Sequence, residues 1–440
     1  MPKFETPRGM RDFLPEDMEK RRYVIDTIRT VYSKYGFREI QTPALENLSL
    51  LTAKSGGGEE VAKEIFSLKD QSGRMLGMKF DQTVPTSRLV ANNSQLPKPF
   101  KRFIISPVWR YERPQAGRYR EFWQADIDTF GAEGVEADLE AVACATNVML
   151  ELDFKEFYVD INNRKLVEGI ALDYGFTEKE VPNLLRCIDK LDKIGEDAVI
   201  AEMKDKKLDE EKGRNLLNAL LAEGKPTEVL KTAKNIAKND IAKEGLAELE
   251  EFFKLAKSYG ISDYLRLNLS MARGLAYYTG MVYEFKAKDA KIGSITGGGR
   301  FDNLVSLAGG EKIPATGLSI GIDRLVQVLE QVGKLKKSGA IKALVCYFPN
   351  CNEKAIEIAQ QLRKAGINTD FDTKARSISK NLDFANSSGI PFVVIIGEKE
   401  IKAKKYALKN METGEQELLS IDQIISKLNI VGKSDKRLLK

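Results

Sequence analysis

The chain has 440 residues, 69 Lys and Arg against 64 Asp and Glu, and no histidine. The absence excludes Ser-His-Asp and Cys-His catalysis, histidine general bases and every metal site that uses imidazole. Charge chemistry must therefore come from carboxylates, Lys, Arg, Tyr, substrate groups or a metal held by oxygen ligands.

In chain order, Glu16–Tyr35 reads as a helix. Ile25, Ile28, Tyr32 and Tyr35 share a face, Val24 and Val31 reinforce it, and Gly36 suits the left-handed stop. A strand, Phe37–Gln41, ends near Pro43. Lys101–Pro107 and Phe122–Phe130 read as strands flanking an Arg-rich connection, and Phe154–Ile161 as another. From Lys165 to Ser258 the sequence is rich in Lys, Glu, Leu and Ala, with helical apolar spacing in Leu246–Tyr259, so a separate helical insertion is expected. Strand-like, Gly-punctuated sequence resumes over Leu265–Gly310. Gly321–Val332 is a helix, with Ile322, Leu325, Val326 and Leu329 at i, i+3, i+4 and i+7. Beyond the linker Gly333–Ala340, strand Ala343–Tyr347, helix Asn352–Ala365, strand Thr369–Asp372, helix Ser377–Ser388 and strand Phe392–Ile396 alternate. That order implies a small α/β domain with a largely parallel sheet.

The composition bounds the setting as well. Hydrophobic content of 42% and charged content of 30% are those of an ordinary globular protein of two or three domains. Apolar runs such as Phe392–Ile396 are far too short to span a bilayer, and Met1–Glu5 has no apolar secretory core, so a cytoplasmic location is expected. Cys144, Cys187, Cys346 and Cys351 form no CxxC pair and read as reduced, buried thiols; no zinc site is expected. Ile341–Lys440 carries 17 Lys and Arg against 12 Asp and Glu, which leaves 52 of each sign in the rest of the chain. A basic terminal domain on a neutral body fits an RNA partner; a Lys-rich solvated surface fits the charge equally well.

The most informative stretch is Trp109-Arg110-Tyr111-Glu112-Arg113-Pro114-Gln115-Ala116-Gly117-Arg118-Tyr119-Arg120, followed by Glu121-Phe122-Trp123-Gln124. Arginine suits planar, multidentate phosphate recognition, and Phe122 and Trp123 offer a stacking face to a base. By composition alone, an exposed charged hairpin fits as well. The order of residues is more specific. It resembles motif 2 of class II aminoacyl-tRNA synthetases, and most closely the version in the histidyl-tRNA synthetase family. Ala272-Arg273-Gly274-Leu275-Ala276-Tyr277-Tyr278 and Thr296-Gly297-Gly298-Gly299-Arg300-Phe301-Asp302 resemble the two histidine-specific elements of that family. Gly317–Leu325 resembles motif 3, ending in Arg324. Arg8–Phe13 resembles its N-terminal element, Met78–Pro85 its amino-acid-binding strand, and Gly389–Glu400 part of a class IIa anticodon-binding domain. Ala276 departs from the pattern, where many members carry Asp.

The resemblance implies an α+β catalytic domain built on an antiparallel sheet, with a helical insertion, plus a C-terminal α/β anticodon-binding domain. The implied divisions are 1–164 and 259–332 for the catalytic domain, 165–258 for the insertion and 341–430 for the anticodon domain. It also implies L-histidine, ATP with Mg²⁺ and tRNA(His) as partners, and a homodimer built through the motif 1 region. Arg110 and Arg273 are implied at the α-phosphate, Arg118 and Arg324 at the β,γ-phosphates, and Glu112 and Phe122 at the adenine. Asp81, Thr83 and Gln124 are implied around the ammonium of histidine, Asp128, Tyr277 and Tyr278 around its imidazole, and Arg113 and Gln115 at the tRNA acceptor end. Two relatives of the same fold remain as rivals: a non-catalytic regulatory subunit of ATP phosphoribosyltransferase, and a class IIa enzyme for another amino acid.

Overall fold

The computed structural model describes residues 4–53, 63–113, 117–272, 277–288, 293–335 and 341–437. Arg273, Ala276, Gln115 and most of the linker 333–340 lie outside the described residues. The chain divides into two units, Met1–Asp12 with Tyr23–Lys334, and Phe13–Arg22 with Leu335–Lys440.

The first unit is organised by one eight-stranded sheet. Its strands are β1 (Arg38–Glu39), β5 (Phe100–Trp109), β6 (Glu121–Phe130), β7 (Phe157–Asn163), β8 (Leu265–Leu267), β9 (Met281–Ala287), β10 (Thr296–Arg300) and β11 (Ala315–Gly321). The intervening β2 (Leu45–Asn47), β3 (Ser67–Lys69) and β4 (Met75–Met78) form a separate antiparallel sheet. The main sheet runs in the order β1-β5-β6-β11-β10-β9-β7-β8. Every pair from β5 to β7 is antiparallel; only the edge pairs β1–β5 and β7–β8 are parallel. The expected antiparallel core is therefore present, with two parallel edges that the sequence did not announce.

One face of the sheet is covered by helix Val135–Glu151, whose Leu139, Val142 and Val148 are fully buried. The first helix, Pro15–Lys34, stops where Gly36 takes φ +79°, and its Tyr32 hydroxyl donates to the Ala125 carbonyl of β6 at 3.0 Å. The Lys- and Glu-rich stretch forms seven helices between Arg164 and Ala256, and they belong to the first unit. Asp192, in the short helix Leu191–Ile194, is joined to Lys286 of β9 at 2.9 Å.

The second unit contains a five-stranded sheet in the order β13-β12-β14-β15-β16. These strands are β12 (Ala343–Tyr347), β13 (Thr369–Phe371), β14 (Phe392–Ile396), β15 (Tyr406–Asn410) and β16 (Gln416–Leu419). The first three are mutually parallel, and β15 and β16 add an antiparallel hairpin. The largely parallel sheet expected from the alternation is thus mixed. Val345, Ile358, Leu362, Val394 and Leu408 form a core on one face, and Leu344, Ala385, Ile390 and Val393 one on the other. All four cysteines are free and buried. Among the described residues no helix is long and apolar enough to cross a membrane.

Candidate active site

A cavity of about 380 Å³ opens on the sheet face opposite helix Val135–Glu151, and the register explains why space exists there. Residues facing each other across an antiparallel pair share a face. Gln124, Asp126 and Asp128 of β6 lie opposite Gly321, Ser319 and Gly317 of β11, and Ser319 and Gly317 lie opposite Gly297 and Gly299 of β10. The two central strands therefore present a floor almost bare of side chains. A Cβ at Gly297 would meet nothing within 4 Å, whereas one at Gly298 would sit 2.3 Å from the Gly317 carbonyl oxygen and 2.5 Å from Tyr283. Gly298→Ala is accordingly expected to cost about 3 kcal/mol of stability through overpacking against backbone. Gly297→Ala should leave the urea midpoint unchanged while lowering kcat/KM, because its methyl group enters the cavity.

The rim is cationic. Arg110 leaves the end of β5, and its Nε donates to the Phe80 carbonyl at 3.0 Å; its guanidinium lies 5.3 Å from the Phe122 ring centre. Glu112 sits between Arg110, at 3.8 Å, and Arg118, at 3.4 Å. Arg324, in helix Ile322–Gln331, donates to the Gly117 carbonyl at 3.2 Å and the Ser294 carbonyl at 2.7 Å. Asp323 beside it accepts from the Trp123 N–H at 2.9 Å and from Arg11 at 2.6 Å. Arg120 N–H donates to the Gly9 carbonyl at 2.8 Å. The N-terminal element, the Arg-rich hairpin and the helix carrying Arg324 are thus fastened into one wall.

The inner end is acidic and desolvated. Asp81 and Thr83 follow β4, and the Asp81 Oδ1 accepts the Val84 N–H at 3.0 Å at the start of helix Thr83–Ala91. Burial pushes the Asp81 carboxyl up to about 7; the Val84 N–H opposes this, Asp126 adds to it, and Arg110 and Arg102 oppose it. Burial raises the Asp126 carboxyl to about 6 against the pull of Arg102 and the Ser319 hydroxyl. Burial also lowers Lys79 to about 8; its ammonium donates to Ser106 Oγ at 3.1 Å. Asp81 Oδ2 and Gln124 Oε1 are buried without hydrogen-bond partners, so this end is short of donors. Such atoms are costly unless a ligand or water satisfies them.

Of the residues singled out from sequence, Asp81, Thr83, Arg110, Glu112, Arg118, Phe122, Gln124, Tyr277, Tyr278 and Arg324 line this one cavity. Arg113 is exposed outside it. Asp128 shares the strand face of Gln124 and Asp126; it forms a buried ion pair with Arg102, its partner across β5–β6, and its Oδ1 lies over Gly317, which lines the cavity. Sequence reading passed over the lining residues Asp126, Tyr119, Ser319, Asp189 and Lys193. Alternation along β6 was the available signal for Asp126, which shares the face of Gln124. Asp189 and Lys193 come from the helical stretch, where no local pattern marks a site.

An antiparallel sheet with an arginine-bearing hairpin at one end and an arginine-bearing helix beside it is the arrangement of a class II aminoacyl-tRNA synthetase. The chain belongs to the histidyl-tRNA synthetase family: the family model of that description matches residues 9–325, and one described as an anticodon binding domain matches residues 342–429. A relative from Pyrococcus horikoshii, named histidine–tRNA ligase, is 39% identical over 427 residues, which cover 96% of this chain and 98% of the relative. The crystal structure of histidyl-tRNA synthetase from Nostoc sp. PCC 7120 superposes with a TM-score of 0.85 at 31% identity, covering 98% of this chain and 99% of that one. A Bacillus halodurans structure described as an ATP phosphoribosyltransferase regulatory subunit/histidyl-tRNA synthetase gives 0.77 at 26% identity, covering 90% of this chain and all of that one.

Proposed function

We infer that the chain activates histidine with ATP to histidyl-adenylate and then transfers histidine to the 3′ end of tRNA(His). The observation that carries this reading is one cavity with a guanidinium rim and an inner end of unpartnered carboxylate and amide oxygens. In the first step a carboxylate oxygen of histidine bonds to the α-phosphorus, the bond to the bridging oxygen breaks, and pyrophosphate leaves. Two anions must meet, so fixed positive charge is the main requirement. Arg110 takes the α-phosphate and the histidine carboxylate, with Arg273 on the other side. Arg118 and Arg324 hold the β,γ-phosphates, Glu112 meets the adenine region and Phe122 stacks on the ring. Asp81, Thr83 and Gln124 receive the α-ammonium, and Asp128 and Tyr278 hold the imidazole, with Tyr277 beside it.

In the second step the terminal ribose hydroxyl attacks the aminoacyl carbonyl and AMP leaves; substrate phosphate or α-amine takes the proton. Arg113 and Gln115 meet the acceptor end, and the 341–430 domain takes the anticodon. Mg²⁺ fits as an ion that arrives with ATP. Such ions use one or two carboxylates plus substrate phosphates, Glu112 lies beside Arg110 and Arg118, and no cluster of three acidic or Cys ligands exists among the described residues. Bound there, it would neutralise phosphate charge. A homodimer in the cytoplasm completes this reading.

The test is ATP–pyrophosphate exchange with each amino acid in turn, together with charging of total tRNA. Exchange with histidine and charging of tRNA(His) are expected. Exchange with proline and not histidine would sink the assignment; none with any amino acid would favour the regulatory rival. The acid limb of kcat/KM for histidine carries a further expectation. Because burial raises the Asp81 carboxyl to about 7, it is protonated below that pH and ionised above it. Only the ionised form pairs with the ammonium by charge, so kcat/KM rises through pH 7. Asp81→Asn should lower kcat/KM and remove that rise, leaving the substrate's own titration, which both proteins share.

A further inference from the structure

The helical stretch Arg164–Ala256 reaches the cavity through Asp189 and Lys193, the second in the short helix Leu191–Ile194. The sheet register fixes which end of the cavity this is. Thr296, at the start of β10, stands opposite Phe285 of β9 and Ile320 of β11. Lys286 follows Phe285 and Gly321 follows Ile320, so Lys286 lies at the end of the sheet from which the helix carrying Arg324 leaves. Lys286 is two residues from Glu284, which faces Gly297, so its side chain starts from the cavity face. It joins Asp192 at 2.9 Å, the almost fully buried Asp160 at 3.0 Å and Glu284 at 3.6 Å. Asp192 is thereby fastened to the sheet, and its neighbour Lys193 is held at the Arg324 end of the cavity. Lys190 and Lys206 pair with Glu202 at 2.7 and 2.9 Å, whereas Lys193 forms no ion pair among the described residues. The guanidiniums already at this end are engaged by the protein. Arg118 meets Glu112 at 3.4 Å, and Arg324 donates to the Gly117 and Ser294 carbonyls. A polyphosphate placed there calls for a further cation.

We propose that Lys193 is a phosphate ligand supplied by the helical insertion: its ammonium holds the β,γ-phosphates of ATP and the pyrophosphate they become, and the Asp192–Lys286 pair positions it. The proposal rests on the reading of this cavity as an ATP site. A lysine serves here as a mobile point charge that follows the departing group, where a planar guanidinium demands one geometry. Its contact is with the leaving group alone, so it acts on ATP and pyrophosphate and leaves AMP and histidine untouched.

The test is calorimetric titration of the full chain with ATP, pyrophosphate and AMP, read as the ratio of ATP affinity to AMP affinity. Lys193→Ala is expected to weaken ATP and pyrophosphate about tenfold and leave AMP within about twofold. Lys193→Arg should restore most of the ratio and Lys193→Gln should not. Asp192→Asn should lower the ratio about threefold by releasing the short helix from Lys286. Net charge alone predicts the opposite sign, since that variant removes a negative charge near a polyanion. Lys231→Ala makes the same charge change as Lys193→Ala on the exposed surface of helix Pro226–Ile236, outside the cavity, and should leave the ratio within about twofold. An unchanged ratio in Lys193→Ala, equal losses for ATP and AMP, or an equal loss in Lys231→Ala would overturn the proposal. A ratio that holds or rises in Asp192→Asn would overturn the positioning role of its pair with Lys286. Wild-type chain that binds ATP and does not exchange with histidine would overturn the histidine reading while the titrations still decide on Lys193; no ATP binding would overturn both.

Discussion

Arg110→Ala is expected to lower kcat for ATP–pyrophosphate exchange with histidine by about 10³-fold, with a much smaller change in KM for ATP. The Arg110 side chain is held before any substrate arrives: Nε on the Phe80 carbonyl, the guanidinium over Phe122, and Glu112 at 3.8 Å. A donor fixed in this way need not reorganise as charge builds on the α-phosphate, which is why such groups act mainly on the chemical step. In the proposed reading ATP affinity is spread over Arg118, Arg324 and Phe122, so losing one guanidinium should leave binding largely in place. Arg110→Lys should recover only part of the rate. One ammonium cannot hold the Phe80 carbonyl and bridge two anions at once as a planar fork does. A variant in which KM for ATP rises and kcat is kept would show that Arg110 contributes uniform binding, contrary to its proposed role.

How far the chain could be read in advance depends on whether a feature is local. The strands around the Arg-rich hairpin were legible because alternation and turn residues sit within a dozen positions, and β5 and β6 extend the expected spans by only a few residues. The helical stretch was legible by its spacing, but its entry into the cavity through Asp189 and Lys193 was not. The hairpin β15–β16 escaped because Tyr406–Asn410 is short and follows the Lys-rich run Lys402–Lys405, although Gly414, with φ +75°, marks its turn. At the site, ten of the residues singled out by motif order line one cavity. Charge pairing across strands was invisible: nothing near Asp128 in sequence announces Arg102, which reaches it only through the β5–β6 register. Asp126 was passed over for the same reason, since its pairing with Ser319 arises only through the β6–β11 register. Arg300 is a third case. It lies in the Gly-rich element, and its side chain pairs with Asp138 on the face away from Gly299.

That placement leads to the largest expected effect on stability. Arg300 donates to Asp138 Oδ2 through Nε at 3.0 Å and Nη2 at 2.5 Å, and to the Ala132 and Gly134 carbonyls at 3.0 and 2.9 Å. Asp138 also accepts from the Thr316 hydroxyl at 2.5 Å, which in turn meets the Tyr283 hydroxyl at 2.7 Å. The network clamps helix Val135–Glu151 to β10 and β11 directly behind the cavity floor. Both charges are buried, so removing one strands the other. Arg300→Ala is expected to cost about 4 kcal/mol, read as a fall in the urea midpoint of the first unit. The pH dependence has a definite sign. Burial raises the Asp138 carboxyl to about 6 even with Arg300 opposing it. A carboxyl raised in the folded state favours folding below its unfolded value near 4 and loses that contribution as pH rises through its folded value. Without Arg300 the folded value climbs further, so the variant takes up a proton that the wild type does not. The loss should therefore be larger at pH 8 than at pH 5, where a protonated Asp138 is less costly to bury. A loss that stays constant over that range would mean that the lost backbone contacts, and not the stranded carboxylate, carry the effect.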